Sequence, residues 1–349
     1  MSDATSPERL LIRAPNWLGD AVMAIPAMAA LHAGFPKTHV TVAAPGSVAA
    51  LFEEETAATP DAVLALPSGR SASVDALRQD KFDATVLFPN SFRTAWDARR
   101  AGIRERWGFG SVGRSWLLTR SIRKPGRGPV HQAEYYRELV RGLGVACERD
   151  AAPAVVARQS SLAAAEALLH HKRWPADARY VAMMPGAAYG QAKQWPAARM
   201  AETAARIVGE RGVRCVLLGA ANDRDAAREI ESWLREHAPK EISSVLDLVG
   251  QTSIAVLAGL LSRAELCVSN DSGGMHLAAA LGRPVVAIFG PTDERVTRPI
   301  GNHGVITESV FCRPCMLRDC PIDHRCMKRI TVDRVVEAAV SRLAGRGAS

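Results

Sequence analysis

Three short strings place charged side chains and glycines where a strand gives way to a helix, and each could do chemistry. In RAPNWLGDAV, residues 13–22, a strand ends at a Pro/Gly loop and a helix begins at Asp20. That carboxylate reads two ways. It is a helix N-cap, with a contribution of about 1 kcal/mol, or it is a general base. The loop after a strand's carboxyl end faces the ligand crevice of an open α/β sheet. Gly19 permits close approach there, and the helix dipole favours an ionised carboxylate able to take a proton from an attacking hydroxyl. In MMPGAAYGQAKQWP, residues 183–196, Lys193 stands just before the helix that Pro196 opens. A lysine there is either solvated or a point charge for phosphate oxygens. In SNDSGGMHLAAALGRP, residues 269–284, Asn270, Asp271 and Ser272 offer caps, and Gly273 and Gly274 leave backbone N–H groups unobstructed. This is the pattern of a diphosphate site at a helix N-terminus. Asp271 would repel phosphate, so sugar hydroxyls suit it better. His276, in the first helical turn, is either structural or part of the same site.

A fourth string, FCRPCMLRDCPIDHRCMKR, holds Cys312, Cys315, Cys320 and Cys326, with His324 among them. The CxxC pair has the spacing of two thiolates on one zinc or iron, while the second pair is less regular. Metal ligands, free thiols and disulfides all remain open. A metal here would be structural, since four thiolates leave no open position. The other three cysteines, Cys147, Cys215 and Cys267, lie in or near apolar runs and read as buried hydrophobes.

The elements that position these strings alternate strand and helix in both halves, which predicts parallel α/β units. Strands are expected at 10–14, 39–43, 62–66 and 84–88, with a helix at 20–33. In the second half they are expected at 180–184, 213–218, 245–248, 265–268 and 285–289, with helices at 161–172, 196–211, 222–237, 253–263 and 274–282. A chain of this length exceeds one hydrophobic core. The reading is therefore two doubly wound Rossmann-like domains with a cleft between them, 1–165 and 166–330, followed by a C-terminal helix at 331–349. GFGSVG, residues 108–113, matches GxGxxG only formally, because no buried strand precedes it and no helix follows; a nicotinamide cofactor is not implied.

No apolar run approaches the ~20 residues of a membrane span. The N-terminus lacks the basic and apolar regions of a signal peptide, so a cytosolic protein is expected. The formal charge of +8 is concentrated between Arg93 and Arg127, where ten Arg or Lys face only Asp97 and Glu105. This is a solvated surface or a patch for an anionic partner such as a phosphorylated glycolipid or an acidic membrane. No aromatic platform or helix-turn-helix pattern points to nucleic acid.

The strings RAPNWLGDAV, LFPNSFRTA, PGAAYGQAKQWP and VSNDSGGMHLAAALGRPVVAIFGPT, in this order, resemble those of the ADP-heptose:lipopolysaccharide heptosyltransferases, glycosyltransferase family 9, over residues 10–300. NWLGD and Asn90–Phe92 favour the family's type II branch, which adds the second inner-core heptose. The resemblance implies a GT-B fold, with the acceptor domain N-terminal and the donor domain C-terminal. It also implies inverting transfer of heptose from ADP-heptose to the first heptose of the lipid A–core oligosaccharide, with no obligatory cofactor. By position, Asp20 matches the general base and Lys193 the lysine at the donor diphosphate. Asp271 matches the carboxylate near the donor sugar, and Ser272, Gly273, Gly274 and His276 the phosphate-side loop. Thr292 falls at the nucleotide end. An anionic acceptor makes Asn90, Ser91 and Arg93 candidate acceptor contacts and implies peripheral attachment to the anionic inner face of the cytoplasmic membrane. Rival readings are transfer of the first or third heptose, or a non-catalytic nucleotide-sugar binding protein.

Overall fold

The computed structural model describes residues 6–126 and 128–344; Arg127 of the basic window and residues 345–349 lie outside the described residues. The chain divides into two compact units, 1–155 and 156–349. Each is built on a six-stranded sheet in which all neighbouring strands are parallel. The first sheet runs Ala62–Leu66, His39–Pro45, Arg9–Arg13, Ala84–Leu87, Glu105–Phe109, Arg120–Ile122. The second runs Val245–Asp247, Arg214–Leu217, Tyr180–Met184, Leu266–Asn270, Val285–Phe289, His303–Thr307. In both, the order of the unit's own sheet strands is 3-2-1-4-5-6, the Rossmann pattern, in which the strand order reverses between the first and fourth strands.

Central strands read as continuous apolar runs because helices cover both faces of a parallel sheet. Every residue of Tyr180–Met184, Leu266–Asn270 and Val285–Phe289 is buried. Three strands of these two sheets were not expected from sequence: Glu105–Phe109, Arg120–Ile122 and His303–Thr307. Two of them lie at sheet edges, and all three carry charged or glycine residues. Pairing to a buried neighbour, not local propensity, makes them strands.

The expected boundary at 165 falls inside the helix Gln159–His171. That helix packs on Ile254–Arg263, where the Cα of Gly259 meets Ser161 and Ala165, so it belongs wholly to the second unit. The C-terminal helix Val332–Ala344 is likewise part of that unit, with Val335, Val336 and Ala339 in its core.

In each unit the chemistry-bearing strings follow the first and fourth strands. Asp20 and Asn90 flank the switch point of the first sheet, and Lys193 and Asp271 that of the second. Ligands of open α/β sheets bind outside the carboxyl ends of strands at these points.

Candidate active site

In the second unit, Lys193 and Asp271 meet. Lys193 Nζ donates to Asp271 Oδ2 at 2.6 Å, and Thr292 Oγ1 donates to the same oxygen at 2.7 Å. Asp271 and Thr292 are buried. Residues assigned separately to phosphate, sugar and nucleotide thus converge on one carboxylate oxygen. Thr292 accordingly orients Asp271, its own hydroxyl being engaged there. Asn270, fully buried, ties down the ends of the lysine loop: its Nδ2 donates to Pro185 O at 2.6 Å and its Oδ1 accepts from Trp195 N at 3.1 Å.

Ser272 occupies the N-cap of the helix Gly273–Ala280 without capping it through its side chain; its hydroxyl lies 3.0 Å from that of Ser269. The first-turn N–H groups therefore have no side-chain cap and can meet an anion. Gly274 has a packing reason as well, since a Cβ there would strike the Met184 side chain. His276 is buried within the helix. One residue the sequence reading missed is Asp223, after the strand Arg214–Leu217. Its carboxylate lies against the Cα of Gly186, where any Cβ would collide with it. One oxygen accepts from Ala220 N at 2.9 Å, the other has no hydrogen-bond partner, and burial raises its pKa.

In the first unit, the helix Leu18–Gly34 has Trp17 at its N-cap, so Asp20 sits within the first turn and is not the cap. The cap alternative is thereby removed. Asp20 Oδ1 accepts from the Tyr136 hydroxyl at 3.2 Å. Tyr136 is buried on Gln132–Gly142, the helix that packs against Leu18–Gly34. Burial first, and Asp20 second, push its pKa well up, so the phenol stays protonated and donates.

Asn90 is held between Tyr135 and Arg114. Its Nδ2 donates to the Tyr135 hydroxyl at 2.8 Å, and its Oδ1 accepts from Arg114 at 3.2 Å. Arg114, counted in the basic window as surface, is buried. Its guanidinium also donates to the carbonyls of Phe109 and Pro89 at 3.0 and 2.9 Å, and burial lowers its pKa to about 10. Arg106 is likewise spent on the carbonyls of Leu117, Ile103 and Arg104. The basic window is therefore only partly a surface feature. Ser91 caps the helix Phe92–Arg100 by accepting from Thr94 N at 3.2 Å. Arg93 is exposed, 3.6 Å from Asp97, and borders a pocket of about 250 Å³ shared with Arg13, Asn16 and Ser91. Beside it, Phe92, Trp96 and Trp116 cluster at 6.1–6.3 Å, and Arg99 lies 5.3 Å over Trp116.

The GxGxxG string begins in the strand Glu105–Phe109, whose last three residues are buried, against the expectation that no buried strand precedes it; only the 3-10 turn Ser115–Leu117 follows. The four cysteines of the string lie near one another: burial first, and then Cys312, Cys315 and Cys320, raise the pKa of Cys326. Cys312, Cys315, Cys320 and Cys326 are free thiols, and among the described residues no group of three or more His, Cys, Asp or Glu side chains is placed to hold a metal. His324, nearest in sequence, turns its Nε2 to Ala192 O at 2.7 Å.

The model of glycosyltransferase family 9 (heptosyltransferase) matches residues 70–325, most of the chain. The chain belongs to glycosyltransferase family 9. This family 9 enzyme is 28% identical over 347 residues to lipooligosaccharide heptosyltransferase 2 of Haemophilus ducreyi, covering 94% of this chain and 97% of that protein. To lipopolysaccharide heptosyltransferase 2 of Escherichia coli it is 29% identical over 305 residues, 84% of this chain and 86% of that one. It superposes on the structure of E. coli ADP-heptose lps heptosyltransferase II with a TM-score of 0.81 at 26% identity, over 97% of this chain and 100% of that chain. The family 9 chain is thus a glycosyltransferase whose two Rossmann-like domains are those of the GT-B fold. Among the described residues no helix is long and apolar enough to cross a membrane.

Proposed function

We propose that this family 9 glycosyltransferase moves L-glycero-D-manno-heptose from ADP-heptose to the first heptose of the lipopolysaccharide inner core, with inversion at the anomeric carbon. The observation that carries the donor side is the convergence of Lys193 and Thr292 on Asp271 beside a helix start with no side-chain cap. The acceptor hydroxyl oxygen attacks the anomeric carbon as the bond from that carbon to the diphosphate oxygen breaks. Asp20 takes the hydroxyl proton, and ADP leaves with the bonding pair. Asp20 is suited to this role because Tyr136 fixes one oxygen from a position that cannot itself ionise near neutrality. Lys193, Ser272 and the N–H groups of Gly273 and Gly274 offset charge on the departing diphosphate. Asp271 accepts from sugar hydroxyls, His276 backs the phosphate-side loop, and Thr292 holds Asp271 in place. Asp223 lies after the second strand of its sheet, where an acidic side chain meets ribose in dinucleotide folds. This displacement requires a base, a cationic clamp and positioning, with no obligatory cofactor.

Asn90, Ser91 and Arg93 are the proposed acceptor contacts. The acceptor is lipid-anchored and anionic. Exposed Arg93, Arg99 and Arg100 beside exposed Phe92 and Trp116 suit the anionic inner face of the cytoplasmic membrane, where aromatic rings sit at headgroup depth. The test is incubation with ADP-heptose and defined truncated cores: transfer onto a mono-heptosylated core is expected. Transfer only onto a heptose-free or a di-heptosylated core would overturn the acceptor assignment.

A further inference from the structure

The cysteine-bearing segment 309–324 bonds to both loops that converge on Asp271. On one side it grips the lysine loop. Tyr189 donates its hydroxyl to Met316 O at 2.9 Å, Ala192 N donates to Arg318 O at 2.9 Å, and His324 Nε2 donates to Ala192 O at 2.7 Å. The Arg318 guanidinium lies 5.2 Å from the centroid of the Tyr189 ring, which also carries Lys193 Nζ at 4.8 Å. Any Cβ at Gly190 would strike the Arg318 backbone, so the contact is backbone to backbone. On the other side the segment grips the Thr292 loop. Arg313 donates from Nε to Gly290 O at 2.8 Å and from Nη2 to Thr292 O at 3.2 Å, and it pairs with Glu294. Met316 N adds a bond to Pro291 O at 2.9 Å.

We propose that this segment is a brace for the donor site, with His324 and Arg313 as positioning residues that set Lys193 and Thr292 against Asp271. The lysine loop needs such a brace, because between Met184 and Ala197 it has only the 3-10 turn Gln191–Lys193. His324 holds a left-handed backbone conformation (φ 60°) while reaching Ala192, as a residue fixed by its contacts would. A misplacement of about 1 Å in a charge that acts at the transition state lowers rate by about 100-fold. The cysteines then belong to a segment that serves the donor site through its backbone, Arg313 and His324.

The inference rests on Lys193 acting at the donor diphosphate, and the experiment separates the two. In the full-length enzyme, His324→Ala and Arg313→Met are expected to lower kcat/KM for ADP-heptose at least tenfold while leaving the acceptor KM within twofold. His324→Gln and Arg313→Lys, which keep a donor, recover most of the loss. Combined with Lys193→Met, His324→Ala adds no further loss, because it acts through the lysine loop; combined with Thr292→Val, Arg313→Met adds none, because it acts through the Thr292 loop. A His324→Ala loss that multiplies with that of Lys193→Met, an Arg313→Met loss that multiplies with that of Thr292→Val, equal effects on donor and acceptor, or no loss at all would overturn the brace. A Lys193→Met enzyme with unchanged donor kinetics would instead overturn the role of Lys193 itself.

Discussion

Deleting the Lys193 charge is expected to weaken the second unit as well as the reaction, and the size of the effect follows from the geometry. The Asp271 side chain is 4% exposed and that of Lys193 12%, at 2.6 Å. Removing one partner of a buried ion pair costs about 3–5 kcal/mol, because the other charge is left without compensation. Thr292 still donates to the same oxygen, so Lys193→Met belongs at the lower end, about 3 kcal/mol. At about 2–4 °C per kcal/mol for a unit of this size, Tm falls by about 6–12 °C. Asp271→Asn leaves an ammonium able to reach water and costs less, about 1–2 kcal/mol. The double variant buries no charge and loses little beyond the asparagine change. The cycle over the four proteins, followed by urea unfolding, should therefore give a coupling of about 2–3 kcal/mol. Additivity to within about 0.5 kcal/mol would refute the reasoning. The same Asp271→Asn enzyme, with Lys193 released, is expected to bind ADP more tightly at low salt and to lose that gain as salt is raised.

Asp20→Asn should lower single-turnover transfer by about 100- to 10,000-fold, the range for loss of a general base, with ADP affinity unchanged by calorimetry; retained turnover would remove Asp20 from its role. Tyr136→Phe should cost about 1 kcal/mol near neutral pH. The native phenol is held above its ordinary pKa by burial and by Asp20, so its contribution is complete below about pH 10 and is lost as pH rises toward the folded value. Fluorescence-detected unfolding should accordingly show the gap between the two proteins narrowing on the alkaline side. Asp223 is raised in the folded state by burial, so the native chain is penalised as pH rises through that folded value. Asp223→Asn should raise Tm at pH 7, with the gain shrinking toward pH 4, and should weaken ADP binding; a lower Tm at every pH would contradict this.

Most interior strands were legible because each carries a run of apolar residues, as burial on both faces requires, whereas Glu105–Phe109, with Glu105 and Arg106 at its start, was not. Arg120–Ile122 and His303–Thr307 were not, because an edge strand has polar neighbours and takes its conformation from pairing. Each site string was legible because its chemistry is local: a strand end, a glycine, a helix start. The partners were not. Lys193 and Asp271 are 78 positions apart, Asp20 and Tyr136 are 116 apart, and His324 and Ala192 are 132 apart, and one sequence keeps no record of which distant residues touch. Charge counting failed at Arg114 for a related reason, since a guanidinium surrounded by carbonyls is indistinguishable by composition from one in water.

The shared oxygen of Asp271 also bears on which anions the site ignores. A bare ammonium at a helix start would capture free phosphate or inorganic diphosphate, both abundant wherever nucleotides turn over. Here the ammonium already has a counter-charge, so a simple anion must break the Lys193–Asp271 contact and leaves the carboxylate with only Thr292. A sugar diphosphate offers oxygens to the lysine and hydroxyls to the carboxylate together, and so replaces both sides of the pair. On the proposed reading, Asp271 filters by exchange: ligands with half of the donor's chemistry are rejected because they strand a buried charge.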